Sequence, residues 1–321
     1  MATMKVLISD AVTKTCIAIL EQNNIAVDYR PGLSADELRK VIPEFDGLIV
    51  RSATKVTAEI IKAASNLRVI GRAGTGVDNI DVAAATGQGI VVLNSRGGNT
   101  LSAAELTFAL MMSLARNIPA AHASMTAGKW ERSKFVGVEL SGKKLGIVGF
   151  GQIGKEVAKR AQAFGMIVSA FDPLLEPVDF SAHGVTQEPV DDLLRTCDFM
   201  TLHVPLMDAT RHMISEAQFE ICNPNLKLIN VARGGIVDEA ALERALTAGK
   251  LAGAALDVFE NEPPGDNPLI GLDKIITTPH LGASTIDAQE RIAREIAETV
   301  AHALHGREVS NLVNPNAAEP H

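Results

Sequence analysis

The chain has 321 residues, too many for one small core and enough for two domains of ordinary size. With 46% hydrophobic and 21% charged residues and no low-complexity tract, the composition is that of a soluble globular protein, and disorder is expected only over the final "NPNAAEPH". A net charge of −8 excludes a general attractive field for nucleic acid, so an anionic ligand would need a local basic pocket.

The opening "MATMKVLISD" reads as a strand and lacks the basic and long apolar regions of an export signal. Up to residue 97, short β-branched runs ("KVLIS", "AVDY", "GLIV", "RVIG", "IVVL") alternate with helical stretches such as "TAEIIKAAS". That alternation predicts a parallel sheet covered by helices. Next comes "TLSAAELTFALMMSLARNIPAAHASMTAGKW", whose apolar residues recur at spacings of three and four, and which is expected to be helical and to bridge two domains. Its "LTFALMMSLA" stretch is more apolar than one helix face needs, an argument for a subunit contact or for an ordinary buried helix.

A second alternation runs through "KKLGIVGFG", "MIVSAFD", "DFMTLHV", "LKLINVA", "LAGAALDVF" and "KIITTPH". The closing "STIDAQERIAREIAETVAHAL" is an amphipathic helix with Ile292, Ile296 and Val300 on one stripe. The sequence beyond it is too short to form a domain, so it is expected to pack back on the N-terminal part. The predicted fold class is therefore α/β, with two doubly wound parallel-sheet domains. A Rossmann NAD-binding domain, residues 98–286, is inserted into a flavodoxin-like substrate-binding domain, residues 1–97 and 287–321. Ligands of such sheets sit at the carboxyl ends of the strands, so substrate and cofactor are expected to meet between the domains. No window supplies about 18 uncharged apolar residues, so no membrane span is expected.

"GFGQIG" carries the first chemistry. Gly149 permits a tight turn, Gly151 lets the backbone approach a pyrophosphate, and Gly154 allows close helix packing. The helix beginning near Gln152 offers free N–H groups and a positive dipole end to phosphates. A glycine motif is weak evidence by itself, but this one follows an apolar strand and opens a helix, as the mechanism requires. The next strand ends in Asp172, about twenty residues beyond Gly151, where a carboxylate accepts from the adenosine ribose and repels a 2′-phosphate. No Lys or Arg lies between Pro173 and Leu194, while Glu176 and Asp179 add negative charge. NAD is favoured over NADP.

Three later segments place a polar side chain at or just past a strand end: Arg233 in "LINVARGG", Glu262 in "LDVFENEPP" and His280 in "TTPHLGAST". Together they suit hydride transfer at a 2-hydroxy acid. A guanidinium fork grips a carboxylate and polarises the C2 oxygen. His280 takes the hydroxyl proton, and Glu262 holds the imidazole and stabilises its protonated form. Any one of the three, taken singly, reads equally well as a structural residue. The three cysteines, Cys16, Cys197 and Cys222, lack paired metal-ligand spacing and read as buried small hydrophobes in a reducing cytoplasm. His302 and His305, at helical spacing, read as solvated, and no metal site is expected. The absence of a G-x-S-x-G elbow leaves acyl transfer unsupported.

"GRAGTGVDNID", "SAAELT", "GFGQIG", "VARGGIVDE", "ALDVFENEPP" and "PHLGAST", in this order, resemble the D-isomer-specific 2-hydroxyacid dehydrogenase family over nearly the whole chain. The resemblance implies Arg233, Glu262 and His280 as the catalytic triad. It implies NAD contacts at Thr75, Gln152, Ile153, Asp172, Val204, Val231, Ala232, Arg233, Asp257 and the "HLGA" segment, with His280, Gly282 and Ala283. Within the family, "LISD", "LIVRSATKVT", "GKWERSKF" and "CDFMTLHVPL" are most similar to members acting on a small phosphorylated 2-hydroxy acid. The segments matched are those of a catalytic core, without the C-terminal regulatory domains of many such members.

For the substrate, "RAGTG" can offer backbone N–H groups to a carboxylate, with Gly74 and Gly76 allowing close approach. The resemblance puts Arg51 in position for a phosphate, and Arg132 is a second candidate, supplied in this family across the interface of a homodimer. Arg132, with Lys129 and Lys134, reads equally well as a solvated basic turn. Two rival readings stand: a hydroxypyruvate/glyoxylate reductase or D-lactate dehydrogenase, which would share triad and cofactor, and an NAD-sensing scaffold like the corepressors that resemble this family. No nucleic-acid or membrane partner is expected.

Overall fold

Both runs of alternating strands and helices form parallel sheets. The computed structural model describes residues 4–317. Its strands are β1 (Lys5–Ile8), β2 (Ala26–Tyr29), β3 (Gly47–Val50), β4 (Val69–Arg72), β5 (Val91–Asn94), β6 (Lys144–Val148), β7 (Ile167–Phe171), β8 (Thr186–Gln187), β9 (Phe199–Leu202), β10 (Lys227–Asn230), β11 (Gly253–Leu256) and β12 (Ile275–Thr277). Helices α1 (Lys14–Gln22), α2 (Ala35–Val41), α3 (Ala58–Ala63) and α4 (Val82–Gly87) lie among the first five strands. They are followed by α5 (Thr100–Arg116), α6 (Ile118–Thr126), α7 (Gln152–Ala163), α8 (Pro177–Ser181), α9 (Val190–Thr196), α10 (Glu216–Ile221), α11 (Glu239–Thr247) and α12 (Ile286–Leu304). The chain separates into two units, one made of the described residues up to Asn99 and from Thr285 onward, the other of Thr100–Ser284.

In the first unit the strand order is β2-β1-β3-β4-β5, every pair parallel, which is the flavodoxin-like doubly wound order. Leu7, Leu48, Val50 and Ile70 pack with Leu38 of α2 and Ile60 of α3 in one buried cluster. Helix α12 lies against α1, β4 and β5, burying Ile292, Ile296 and Val300. A Cβ on Gly71 would stand 2.5 Å from Val300, so glycine in β4 lets this helix approach the sheet. The Thr285 hydroxyl caps α12 by accepting from the Ala288 N–H. The final segment expected to be disordered is instead held at its start: a 3-10 turn covers Pro315–Ala317, and residues 318–321 lie outside the described residues. Beyond α12, the buried Asn314 side chain accepts from Val92 N at 2.7 Å and donates to Ile90 O at 2.9 Å. Those bonds cover the outer edge of β5.

The second unit is a seven-stranded sheet, β12-β11-β10-β9-β6-β7-β8, parallel throughout. The strand order reverses between β6 and β9, the switch point beside which such sheets bind dinucleotides. The segment expected to bridge two domains is different in kind. Helix α5 packs on α7, β10 and β11 and buries Phe108, Met111 and Leu114, so it is a core helix of this unit. The helical run also breaks at Asn117, left-handed at φ 54°, just before Ile118–Pro119 opens α6. Asn tolerates that conformation, and a proline nitrogen has no hydrogen for a continuing helix. By contrast α6 buries nothing, and Ile118, Met125 and the nearby Trp130 and Val136 are exposed.

Cys16, Cys197 and Cys222 are buried and unpaired. Burial pushes the Cys16 and Cys197 thiols up to about 12, which keeps both unreactive. Among the described residues no helix is long and apolar enough to cross a membrane.

Candidate active site

The glycine turn after β6 has a separate steric reason at each position. Gly149 has φ +91°, and a Cβ there would stand 2.5 Å from the carbonyl oxygen of His203. A Cβ on Gly154 would stand 2.3 Å from Gly149 O, so only glycine allows α7 to sit this close to the turn. Gly151 caps α7, and a Cβ there would meet open space. The pyrophosphate of a dinucleotide fits that opening, in front of the free N–H groups at Gln152 and Ile153. Asp172, one residue past β7, accepts from Phe150 N at 2.9 Å and from Leu174 N at 3.0 Å. These bonds hold its carboxylate beside the turn, where a ribose would lie. The Thr100 hydroxyl donates to Gln152 Oε1 at 3.1 Å, fixing the first side chain of α7. The residues present fit NAD.

His203, following β9, faces this turn. Its Nε2 lies 3.0 Å from the Thr201 hydroxyl, and burial lowers its pKa from 6.5 to about 3. Between those two values the unfolded chain binds a proton that the folded chain refuses, so stability falls as pH drops below the unfolded value. The loss between pH 7 and pH 5 is about 2 kcal/mol. His203→Gln is expected to flatten the decline in Tm over that range, as thermal unfolding at each pH will measure.

Arg233 depends on a turn that the sequence reading did not single out. Asn230, the last residue of β10 and buried, accepts from Ala232 N at 3.0 Å and donates to Arg233 O at 2.8 Å. The guanidinium of Arg233 donates to Ala232 O at 2.7 Å. Gly234 follows, and a Cβ on it would lie 1.7 Å from Phe259 O and 2.7 Å from Glu260 N. The loop carrying Arg233 thus touches, backbone to backbone, the loop that leads to Glu262. Gly234→Ala is expected to force these loops apart, lowering kcat about 100-fold with an unchanged net charge. Steady-state kinetics and a Tm lowered by several degrees will register it.

The third loop is set by Asp257, fully buried just past β11. Its carboxylate accepts from the Thr278 hydroxyl at 2.6 Å, from Leu281 N at 2.7 Å and from Gly282 N at 2.8 Å, while its carbonyl accepts from His280 N at 2.9 Å. Burial raises the pKa of Asp257 against the opposing effect of these bonds. Held this way, His280 sits in the left-handed region at φ 54°. Its ring projects to Glu262, with Nδ1 2.6 Å from Oε2. Oε1 of Glu262 accepts from Phe259 N at 3.1 Å. Burial by itself would raise the Glu262 pKa; the bond and charge of His280, the Phe259 amide and the Arg233 charge outweigh it, and the carboxyl is held below its ordinary range. An ionised carboxylate can only accept, so Nδ1 carries the hydrogen and Nε2 presents its lone pair as a base.

The remaining predicted residues divide between the units. Val231 and Gly282 line the same loops, with Gly282 placed so that its Cβ would be 3.3 Å from Val231 and 3.5 Å from Asp257. Val204, Ala232 and Ala283 are half-buried beside them in sequence. Arg132 lies in a 3-10 turn, Arg132–Phe135, exposed beside Trp130. In the first unit, Gly74 has φ +144°, Thr75 donates its hydroxyl to Asn99 Oδ1 at 2.9 Å, and Gly76 follows in the same loop. Arg51 directly follows β3. Asn230, Gly234 and Thr278 are the residues that sequence reasoning missed; the repeated "GG" after Arg233 was the one available signal.

The profile of the D-isomer specific 2-hydroxyacid dehydrogenase NAD binding domain matches residues 108–282. The chain is 50% identical over 313 residues, 98% of its length, to D-3-phosphoglycerate dehydrogenase of Sus scrofa, and spans 59% of that relative. Among solved structures it is similar to the TT0316 protein of Thermus thermophilus (TM-score 0.89, 34% identity, covering 97% of this chain and 100% of that one). It is also similar to a D-lactate dehydrogenase of Aquifex aeolicus complexed with NAD and lactic acid (TM-score 0.86, 27% identity, 99% and 100% covered). With the glycine turn and the NAD-binding domain match in agreement, the chain belongs to the D-isomer specific 2-hydroxyacid dehydrogenase family.

Proposed function

We propose that the chain oxidises the C2 hydroxyl of D-3-phosphoglycerate to give 3-phosphohydroxypyruvate, the entry reaction of phosphorylated serine synthesis. The observation that carries this reading is the 2.6 Å contact of His280 Nδ1 with an ionised Glu262, which leaves Nε2 as the base. NAD, when bound, supplies the nicotinamide that accepts the hydride leaving C2. Nε2 of His280 takes the proton from the C2 oxygen as the C2–O bond becomes a carbonyl. Glu262 compensates the imidazolium that results. The Arg233 fork holds the substrate carboxylate and polarises the C2 oxygen. Run in reverse, His280 returns the proton to the carbonyl oxygen.

The phosphorylated substrate is supported by the name of relatives about half identical over nearly the whole chain and by Arg51. Arg51→Ala is expected to raise KM for 3-phosphoglycerate about tenfold while leaving D-glycerate and D-lactate nearly unaffected, since a single phosphate contact is lost. Steady-state assays with each acid, using NAD and NADP in parallel, test substrate and cofactor together. Equal losses on all acids would overturn the phosphate assignment, and preferred turnover of lactate would favour the D-lactate dehydrogenase reading.

A cytoplasmic homodimer completes the proposal. The homodimer is supported by the exposed apolar side chains of Ile118, Met125, Trp130 and Val136 around α6. Arg132, in the same segment, would then act on the substrate of the partner subunit. Sedimentation showing only monomer at assay concentration would remove that role.

A further inference from the structure

Arg51 stands on a loop whose shape is imposed by two side chains from elsewhere in the first unit. Asp10, just past β1, is 4% exposed, and its carboxylate takes three donors from this loop: Arg51 N at 2.5 Å, Thr54 N at 3.2 Å and the Thr54 hydroxyl at 2.7 Å. From the other side, both amide hydrogens of Asn79 are spent on the same loop, on Arg51 O at 2.7 Å and Thr54 O at 2.6 Å. The backbone adds Val56 N to Asn79 O at 2.8 Å. The Thr54 hydroxyl lies 3.0 Å from that of Ser9, so the cluster extends to the residue directly after β1. Arg51 is therefore held at its N–H, at its carbonyl and, through Nη1 to Ala11 O at 3.2 Å, at its guanidinium.

A buried polar group normally finds some partner, and scattered bonds would need no further reason. Here two side chains direct their hydrogen bonds to one short loop, and both converge on Arg51, which lines a small cavity with Ala11, Thr13 and Gln289. The arrangement removes freedom from the loop before any ligand arrives, which is how a binding group is preorganised.

We propose that Asp10 and Asn79 are positioning residues that fix Arg51 for the substrate phosphate, a proposal that rests on the reading of Arg51 given above. Neither touches the substrate; both act through the loop.

The test compares Asp10→Ala, Asp10→Asn, Asn79→Asp and Arg51→Ala in the whole chain. Asp10→Ala is expected to raise KM for 3-phosphoglycerate about tenfold with kcat and the values for D-glycerate changed less than about twofold. Asp10→Asn keeps an acceptor for the two N–H groups and is expected to restore most of the affinity. Asn79→Asp sets an acceptor against two carbonyls and should repeat the Asp10→Ala phenotype, so the proposal stays testable if Asp10→Ala fails to fold. Amide exchange over residues 47–57 should quicken at Arg51 and Thr54 in Asp10→Ala while β1 and β4 keep their protection. Equal losses on both acids, or unchanged exchange, would overturn the positioning role. If Arg51→Ala is phosphate-selective and the clamp variants are not, this proposal alone falls. If Arg51→Ala shows no selectivity, the phosphate reading of Arg51 falls first and takes the clamp's substrate role with it.

Discussion

His280→Asn is expected to lower kcat about a thousandfold while the affinity for NADH changes by less than about threefold. Asparagine is the informative replacement because His280 sits at φ 54°, a conformation Asn adopts more readily than most residues. The loop bonds that Asp257 makes go to the backbone of residues 280–282 and to the Thr278 hydroxyl, so they survive the change. What disappears is the base at Nε2 and the pair with Glu262. Steady-state kinetics paired with a fluorescence titration of NADH separate the two effects. A collapse of NADH affinity in parallel with kcat would mean that the imidazole serves the cofactor and not the proton.

Arg233→Lys is expected to lower kcat/KM for the 2-hydroxy acid about 100-fold or more, although the charge is kept. An ammonium cannot present two parallel donors to a carboxylate, and it replaces a planar group aimed by the bond from its own side chain to Ala232 O. The turn itself should persist, because Asn230 holds the Arg233 carbonyl and the Ala232 N–H without using the guanidinium. The loss is therefore expected in both KM and kcat, with thermal stability close to that of the parent. A variant that lost only stability would show the guanidinium to be structural.

The two expectations rest on geometry that the sequence foreshadowed unevenly. "GFGQIG" and the strand before it were legible because such a turn requires glycine where a Cβ would collide, and Gly149 and Gly154 meet that condition here. Both sheets were legible for a similar reason: parallel strands buried on both faces read as short apolar runs between helical stretches. The long helical segment was legible as helix but not in its place. Its periodicity is the same whether it lies on a sheet or spans two domains, and the stop at Asn117 was signalled only by Pro119, inside the same apolar pattern.

By itself, then, the sequence determined the fold class, the glycine turn after β6 and a set of candidate residue types for the proposed chemistry, because each of these follows from local sterics, spacing and the ionisation of single side chains. Only the tertiary structure decided that Glu262 meets His280 at 2.6 Å, that Gly234 brings the Arg233 loop against Phe259, and that Asp257 and Asp10 spend their buried carboxylates on loops far along the chain. Contacts between residues distant in sequence are fixed by which backbone N–H groups the packing leaves without a partner, and that is a property of the assembled sheet rather than of any one segment.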